Sequence, residues 1–267
     1  MLVGEISLPG ESNETFIFLS DYCHPGQVND SFTGLAVFLK LMHFISQIPN
    51  RKYTYKMLIL PETIGSAAYI TANTESLKNV RGAMFSEMVG WGDKWYLKES
   101  REKDTYMNLL ARECSRKFSD LELSDFFSLI GNDEYMFDSV QTNIPTLSLQ
   151  KYPYEQYHTS NDEPSHINLD NFQKAYDICC HMIKIIESDM RYEFIHAAPF
   201  WMTRFNLYSD DQYEPEDYKK RYKIVYQLLD GKNTNLQIAD ALDCSLEEVT
   251  DFVDLMEKND LIKKKSS

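Results

Sequence analysis

The sequence predicts an α/β fold, a mostly parallel sheet sandwiched by helices, followed by a small domain of all-α or winged-helix type. Short apolar runs rich in β-branched and aromatic residues alternate with stretches whose apolar residues recur at helical spacing, the order of strands joined by crossover helices. Past residue 218 the strand-like runs give way to short helical patterns. The 267 residues are enough for one large domain and a small one,.

Thr15 to Tyr22 (TFIFLSDY) is the first strand, and Leu35, Phe38, Leu39, Met42 and Ile45 mark the helix after it. Tyr53 to Leu60 (YTYKMLIL) is the second strand, ending at PETIGS, with a helix through about Leu77. Gly82 to Val89 (GAMFSEMV) is the third strand, and Asp104 to Lys117 the third helix. Ile144 to Leu149 (IPTLSL) reads as a late buried strand, followed by a Tyr-rich loop and a long helix from about Leu169 to Asp189. The first domain therefore spans 1–193. Residues 194–217, aromatic and acidic without clear periodicity, form a packed connector. Residues 218–267 carry three short helices, with Gly231 ending the first and Ser245 capping the third, as in a helix-turn-helix or winged helix,.

The formal net charge of −14 disfavours nonspecific attraction to nucleic acid and anionic lipid,. No apolar run has the length to cross a bilayer, and the start, MLVGEISLPGES, lacks a signal-peptide pattern,. Five cysteines form neither a paired framework nor a Cys-x-x-Cys knuckle,. They read as reduced thiols of a cytoplasmic protein.

Ligands of open α/β sheets gather beyond the carboxyl ends of the strands. There the sequence places His24 and Asp30 after the first strand, Glu62 after the second, Glu87 after the third and His158 in the Tyr-rich loop. Two imidazoles and three carboxylates suit one Zn²⁺, or a pair sharing a bridging carboxylate. Such ions orient a water, lower its pKa and polarise a carbonyl. Each residue taken singly also has an ordinary use: Asp30 or Glu62 as a helix cap, His24 as a turn histidine. Glu87 is the exception, because it ends an apolar strand where an unpaired carboxylate is costly to bury. His43 and His181 fall within helices as surface or core-edge residues, and His166 and His196 flank helices without an evident partner.

The blocks CHPGQVNDSFTG, PETIGSAAY, MFSEMVGWG, GNDEYMFDSV and EQYHTSND resemble, in order, those of an aminopeptidase-like family within the co-catalytic zinc exopeptidases, the group that includes aminopeptidase Y and glutaminyl cyclase. The resemblance covers about residues 1–190 and implies zinc-dependent hydrolysis of an amide or peptide bond, with one or two Zn ions. It implies that His24 and Asp30 hold the first metal, Asp30 bridging, that Glu87 replaces the usual aspartate, and that His158 binds the second. Glu62 falls in a block where relatives have two adjacent glutamates, one ligand and one general base; here Pro61 precedes it, so one role is vacant. Glu62 is the candidate base as well as a ligand. Glu134 in GNDEYMF is a reserve candidate for acid-base work or for binding a substrate amine, and also fits a helix-start carboxylate,.

The resemblance extends to a C-terminal winged helix. The first recognisable block begins within 25 residues of the start, so the chain reads as a fragment or a reduced member. In the C-terminal module the third helix carries Glu247, Glu248, Asp251, Asp254 and Glu257, which would repel phosphates,. A protein partner or domain packing is the expected use, and nucleic acid is not. The alternative to an active hydrolase is a catalytically impaired metal-binding or regulatory protein acting through this module.

Overall fold

The computed structural model describes residues 2–205, 207 and 215–265. The chain divides into two compact units, Met1–Glu187 and Ser188–Ser267.

The first unit is a mainly parallel sheet flanked by helices. Its strands are β1 (Gly4–Leu8), β2 (Thr15–Tyr22), β3 (Thr54–Pro61), β4 (Val80–Ser86), β5 (Lys94–Lys98), β6 (Leu121–Ser124) and β7 (Thr146–Tyr152), in the spatial order β1-β3-β2-β4-β7-β5-β6. The central four, β3, β2, β4 and β7, run parallel. β1 pairs antiparallel to β3 and β5 antiparallel to β7. β2 is buried along nearly its whole length, which is why it reads as a continuous apolar run,.

Successive residues of β2 serve opposite faces. Ile17 and Leu19 join Leu58, Leu60 and Phe85 against Tyr69 of α2 (Ile64–Ala72), Leu77 of α3 (Thr74–Leu77) and Phe137 of α5 (Glu134–Phe137). Phe18 turns the other way, 5.2 Å between ring centroids from Phe38 of α1 (Phe32–Ser46). On that face Phe16, Phe18 and Met84 also meet Met107 of α4 (Tyr106–Lys117) and Met182, Ile183 and Ile186 of α6 (Leu169–Ser188). In α1 the buried set Val37, Phe38, Leu41, Met42 and Ile45 follows the helical period,. At its start, Gly34 lies so close to the end of β4 that a Cβ there would sit 1.7 Å from the Ser86 carbonyl oxygen. The fold thereby brings the beginning of α1 directly onto the segment that leads into Glu87.

The second unit has its own core, including Leu207, Ile224, Leu229, Val249, Phe252, Val253 and Met256. α7 (Pro215–Lys223) runs into a π-helical turn at Ile224–Leu228, followed by α8 (Asn235–Ala241) and α9 (Leu246–Lys258). Ser245 caps α9 in a reciprocal box with Glu248, and Thr234 caps α8 in another with Gln237,. These helices are accompanied by a two-stranded antiparallel sheet of β8 (Tyr192–Phe194) and β9 (Ile262–Lys264), which an all-α reading omits. Part of the expected connector, 206 and 208–214, lies outside the described residues. Among the described residues no helix is long and apolar enough to cross a membrane.

Candidate metal centre

The four central strands are mutually parallel, so their carboxyl ends share one edge. Tyr22 at the end of β2 is in register with Pro61 at the end of β3, and the Glu62 N–H continues the ladder to the Tyr22 carbonyl. His24 and Asp30 lie between β2 and α1, and His158 in the loop after β7. Each contributes one donor atom to a group lying within 4.8 Å of one another. The two imidazole rings are 5.5 Å apart, centre to centre, at 79°. Tyr157 stacks on His158 at 3.9 Å.

Asp30 Oδ2 is 3.3 Å from His158 Nε2, yet it is out of line for a hydrogen bond and is a buried oxygen without one. Glu87 Oε1 is likewise buried and without a hydrogen-bond partner. Burial lifts the Asp30 carboxyl above its ordinary value, against the pull of His158 and His24. Burial drives the Glu87 carboxyl further up, reinforced by Asp21, Glu134 and Asp30. Buried carboxylate oxygens without donors are costly unless a cation takes them. A donor set of two imidazoles and carboxylates is the set zinc accepts, so the residues fit that ion.

The other candidates surround this trio. Glu62 is half-buried; the Cys23 thiol hydrogen-bonds its carboxylate, and burial together with that contact pushes the thiol up to about 12. The Glu62 charge also raises Asp21, Asp30 and Asp133, which places it beside the trio without joining it. Glu87 follows the last residue of β4, within reach of the Asp30 charge, which raises it. Glu134 lies outside the trio but near enough to Glu87 for its charge to raise it: fully buried at the start of α5, it pairs with the buried Lys98, and both its oxygens accept the Asn132 N–H at 3.1 and 3.2 Å. Lys98 also donates to the Ile130 carbonyl at 2.7 Å and lies over the Tyr135 ring.

That pair gives a direct test. Lys98→Met leaves a buried carboxylate unpaired and is expected to cost about 3–5 kcal/mol, whereas adding Glu134→Gln, which keeps an acceptor for Asn132, restores most of it. Urea denaturation of the two variants measures both. An equal midpoint for the single and the double variant would contradict the pairing.

Several residues that shape this edge escaped the sequence reading. Asp162, four residues after His158, accepts the backbone N–H groups of Val28 at 3.1 Å, Asn29 at 2.9 Å and Asp30 at 3.3 Å. The Asn29 side chain in turn accepts from the N–H groups of Gly90 and Trp91 and donates to the Trp91 carbonyl. Asp21 is buried, and burial followed by repulsion from Asp133, Glu62 and Asp30 lifts its carboxyl to about 8. Burial lifts Asp133 to about 6, while its Oδ1 accepts the Thr63 N–H at 2.9 Å. The available signals were an acid in the apolar strand TFIFLSDY and the terminal aspartate of EQYHTSND.

Backbone strain marks the same edge. Thr63 after Glu62, Met88 after Glu87 and His158 itself have φ of 54°, 53° and 55°. Threonine and methionine rarely adopt this left-handed conformation, histidine does so more readily, and strained residues concentrate at functional sites.

Comparison with known proteins shows an aminopeptidase-like fold. A protein of Clostridium acetobutylicum described as a candidate polysaccharide biosynthesis protein with aminopeptidase-like domain is 31% identical over 195 residues, covering 71% of this chain and 44% of its own. A crystal structure of a candidate peptidase from the same organism superposes with a TM-score of 0.82 at 26% identity, over 98% of this chain and 60% of that one. The fold is also that of a zinc aminopeptidase from Bacillus subtilis, with a TM-score of 0.58 at 18% identity over 69% of this chain and 49% of that one. The chain thus spans less than two thirds of the length of each of these relatives. Residues 1–189 match the family described as a domain of unknown function, DUF4910, and the chain belongs to that family.

Proposed function

We propose that the first unit is a zinc-dependent, aminopeptidase-like hydrolase that cleaves an amide or peptide bond. The observation that carries this reading is the convergence of His24, Asp30 and His158 within 4.8 Å at the carboxyl edge of the sheet. Glu87 and Glu62 complete the ligand set in this proposal, for one ion or two with Asp30 shared. Zinc bound there would polarise the substrate carbonyl and make water acidic enough to attack it near neutral pH.

The remaining work falls to the chain itself. Glu62, half-buried at the edge, takes the proton of the attacking water on its carboxylate and returns it to the leaving amine,. Asp162 and Asn29 fix the loops that present Asp30 and His158. Glu134, paired with Lys98, contributes by holding the Asn132 loop. The second unit, with α8 and α9 as its helix-turn-helix pair, is proposed as a winged-helix-like module that contacts protein; the carboxylates Glu247, Glu248, Asp251 and Asp254 on the exposed side of α9 disfavour a nucleic-acid partner,.

The test combines metal analysis with a panel of aminoacyl amides and acylated amines, assayed with added Zn²⁺. Zinc is expected in the purified chain and lost in His24→Ala with His158→Ala. In Glu62→Gln the remaining ligands His24, Asp30, Glu87 and His158 still hold zinc, more weakly, while kcat at saturating Zn²⁺ falls by about 10²–10⁴-fold. Undetectable zinc in the wild type, or zinc unchanged in the double variant, would overturn the proposal.

One observation favours a second reading, a metal-binding protein without turnover. Pro61 stands beside Glu62, so a single carboxylate must serve as both ligand and base, and it already accepts the Cys23 thiol. Zinc binding with no hydrolysis across the panel would select it.

A further inference from the structure

We infer that Asn132 is a positioning residue for the metal centre: its carboxamide clamps one oxygen of Glu87 and leaves the other free to meet a cation. The inference rests on the zinc reading above.

Asn132 is 7% exposed, and its Nδ2 donates to Glu87 Oε2 at 3.1 Å and to Asp21 Oδ2 at 3.2 Å. A carboxamide carries two N–H donors on one planar nitrogen, so it satisfies two acceptors at once. The amide turns its nitrogen to these two carboxyl groups and leaves its own oxygen, Oδ1, buried without a hydrogen-bond partner. Glu87 is thereby left with Oε2 held and Oε1 buried without a partner. Asp21 passes the restraint onward, because its other oxygen accepts the hydroxyl of Ser31, the residue after Asp30. One amide therefore ties the end of β4 to the segment that carries Asp30.

Asn132 is itself held. Its backbone N–H is received by Glu134, Glu134 is paired with Lys98, and Lys98 also grips the Ile130 carbonyl two residues upstream of Asn132. The buried ion pair has no contact with the His24, Asp30 and His158 trio. Its service is to fix the loop from which the amide reaches Glu87. An aliphatic residue of the same size would fill the space and release both carboxylates.

The experiment is a double-mutant cycle on the full chain, stripped with EDTA and titrated with Zn²⁺ against a chromophoric chelator. Asn132→Leu is expected to weaken zinc binding by about 10–100-fold, the usual effect of removing a partner that orients a ligand. In a Glu87→Ala background the same change is expected to weaken it by less than about threefold, since the two residues act as a unit. Melting temperatures of the metal-free proteins, which a merely structural role would move equally in both backgrounds, are the control. If Asn132→Leu fails to fold, Asn132→Ser, which keeps one donor, takes its place with an intermediate loss. Equal losses in both backgrounds, or no loss, overturn the inference while the zinc reading stands. A wild type that binds no zinc overturns both.

Discussion

Gly34→Ala is expected to destabilise the first unit by more than about 3 kcal/mol, although alanine is the better helix former by about 1 kcal/mol. The added Cβ would lie 1.7 Å from the Ser86 carbonyl oxygen, 2.4 Å from its carbon and 3.0 Å from the Glu87 nitrogen. These are backbone atoms of a buried strand end, with no rotamer to escape into, so α1 or β4 must move. Either movement separates the segments that carry Asp30 and Glu87, and zinc affinity should fall with stability. Gly26→Ala is the contrast: nothing lies within 4 Å of its Cβ, and only its φ of +81° opposes the change, at about 1–2 kcal/mol,. Urea midpoints of the two variants measure the difference, and a Gly34→Ala protein as stable as Gly26→Ala would refute the close approach.

The second large effect is expected at Asp162. Asp162→Ala removes one acceptor from the N–H groups of Val28, Asn29 and Asp30 together. Asn29 and Asp30 are buried, so water cannot fully replace the carboxylate. Hydrogen bonds to a charged group contribute about 1.5–3 kcal/mol each, and with partial relaxation the loss should be about 3–5 kcal/mol. The same change frees the His158 loop from the Asp30 loop, so zinc binding should weaken beyond what unfolding explains. Denaturation and zinc titration on one preparation separate the two. Unchanged zinc affinity in a folded Asp162→Ala protein would show that the trio does not depend on this clasp.

The parts of the fold legible in the sequence were those whose period is local. β2, β3 and β7 are buried on both faces and appear as apolar runs, and α1 and α6 repeat at helical spacing. β1, β5 and β6 were missed because GEISL, KWYLK and LELS are short and carry charges. β5 takes its place through antiparallel pairing with β7, more than 50 positions later in the chain, a contact no window of sequence contains. The site divided in the same way. His24, Asp30 and His158 could be named because each follows a recognisable strand and has a ligand's chemistry. Asp162 and Asn132 could not, because an ordinary aspartate and asparagine acquire their roles from acceptors or donors 133 and 111 positions away. Lys98 sits in a strand where lysine suggests a solvated edge, and is fully buried there only because Glu134 and Ile130 meet it.

The reach of the Asp162 clasp has a consequence for biosynthesis. The turn bearing His24 and Asp30 leaves the ribosome long before its counterpart, since Asp162 lies 133 residues beyond Asn29. At about 5–20 residues per second the interval is about 7–27 s. In the zinc reading the nascent chain offers only part of the donor set throughout it, so firm capture of an ion would await the last third of the first unit. Metal loading would then be tied to completion of the first unit's sheet rather than to emergence of the His24 turn.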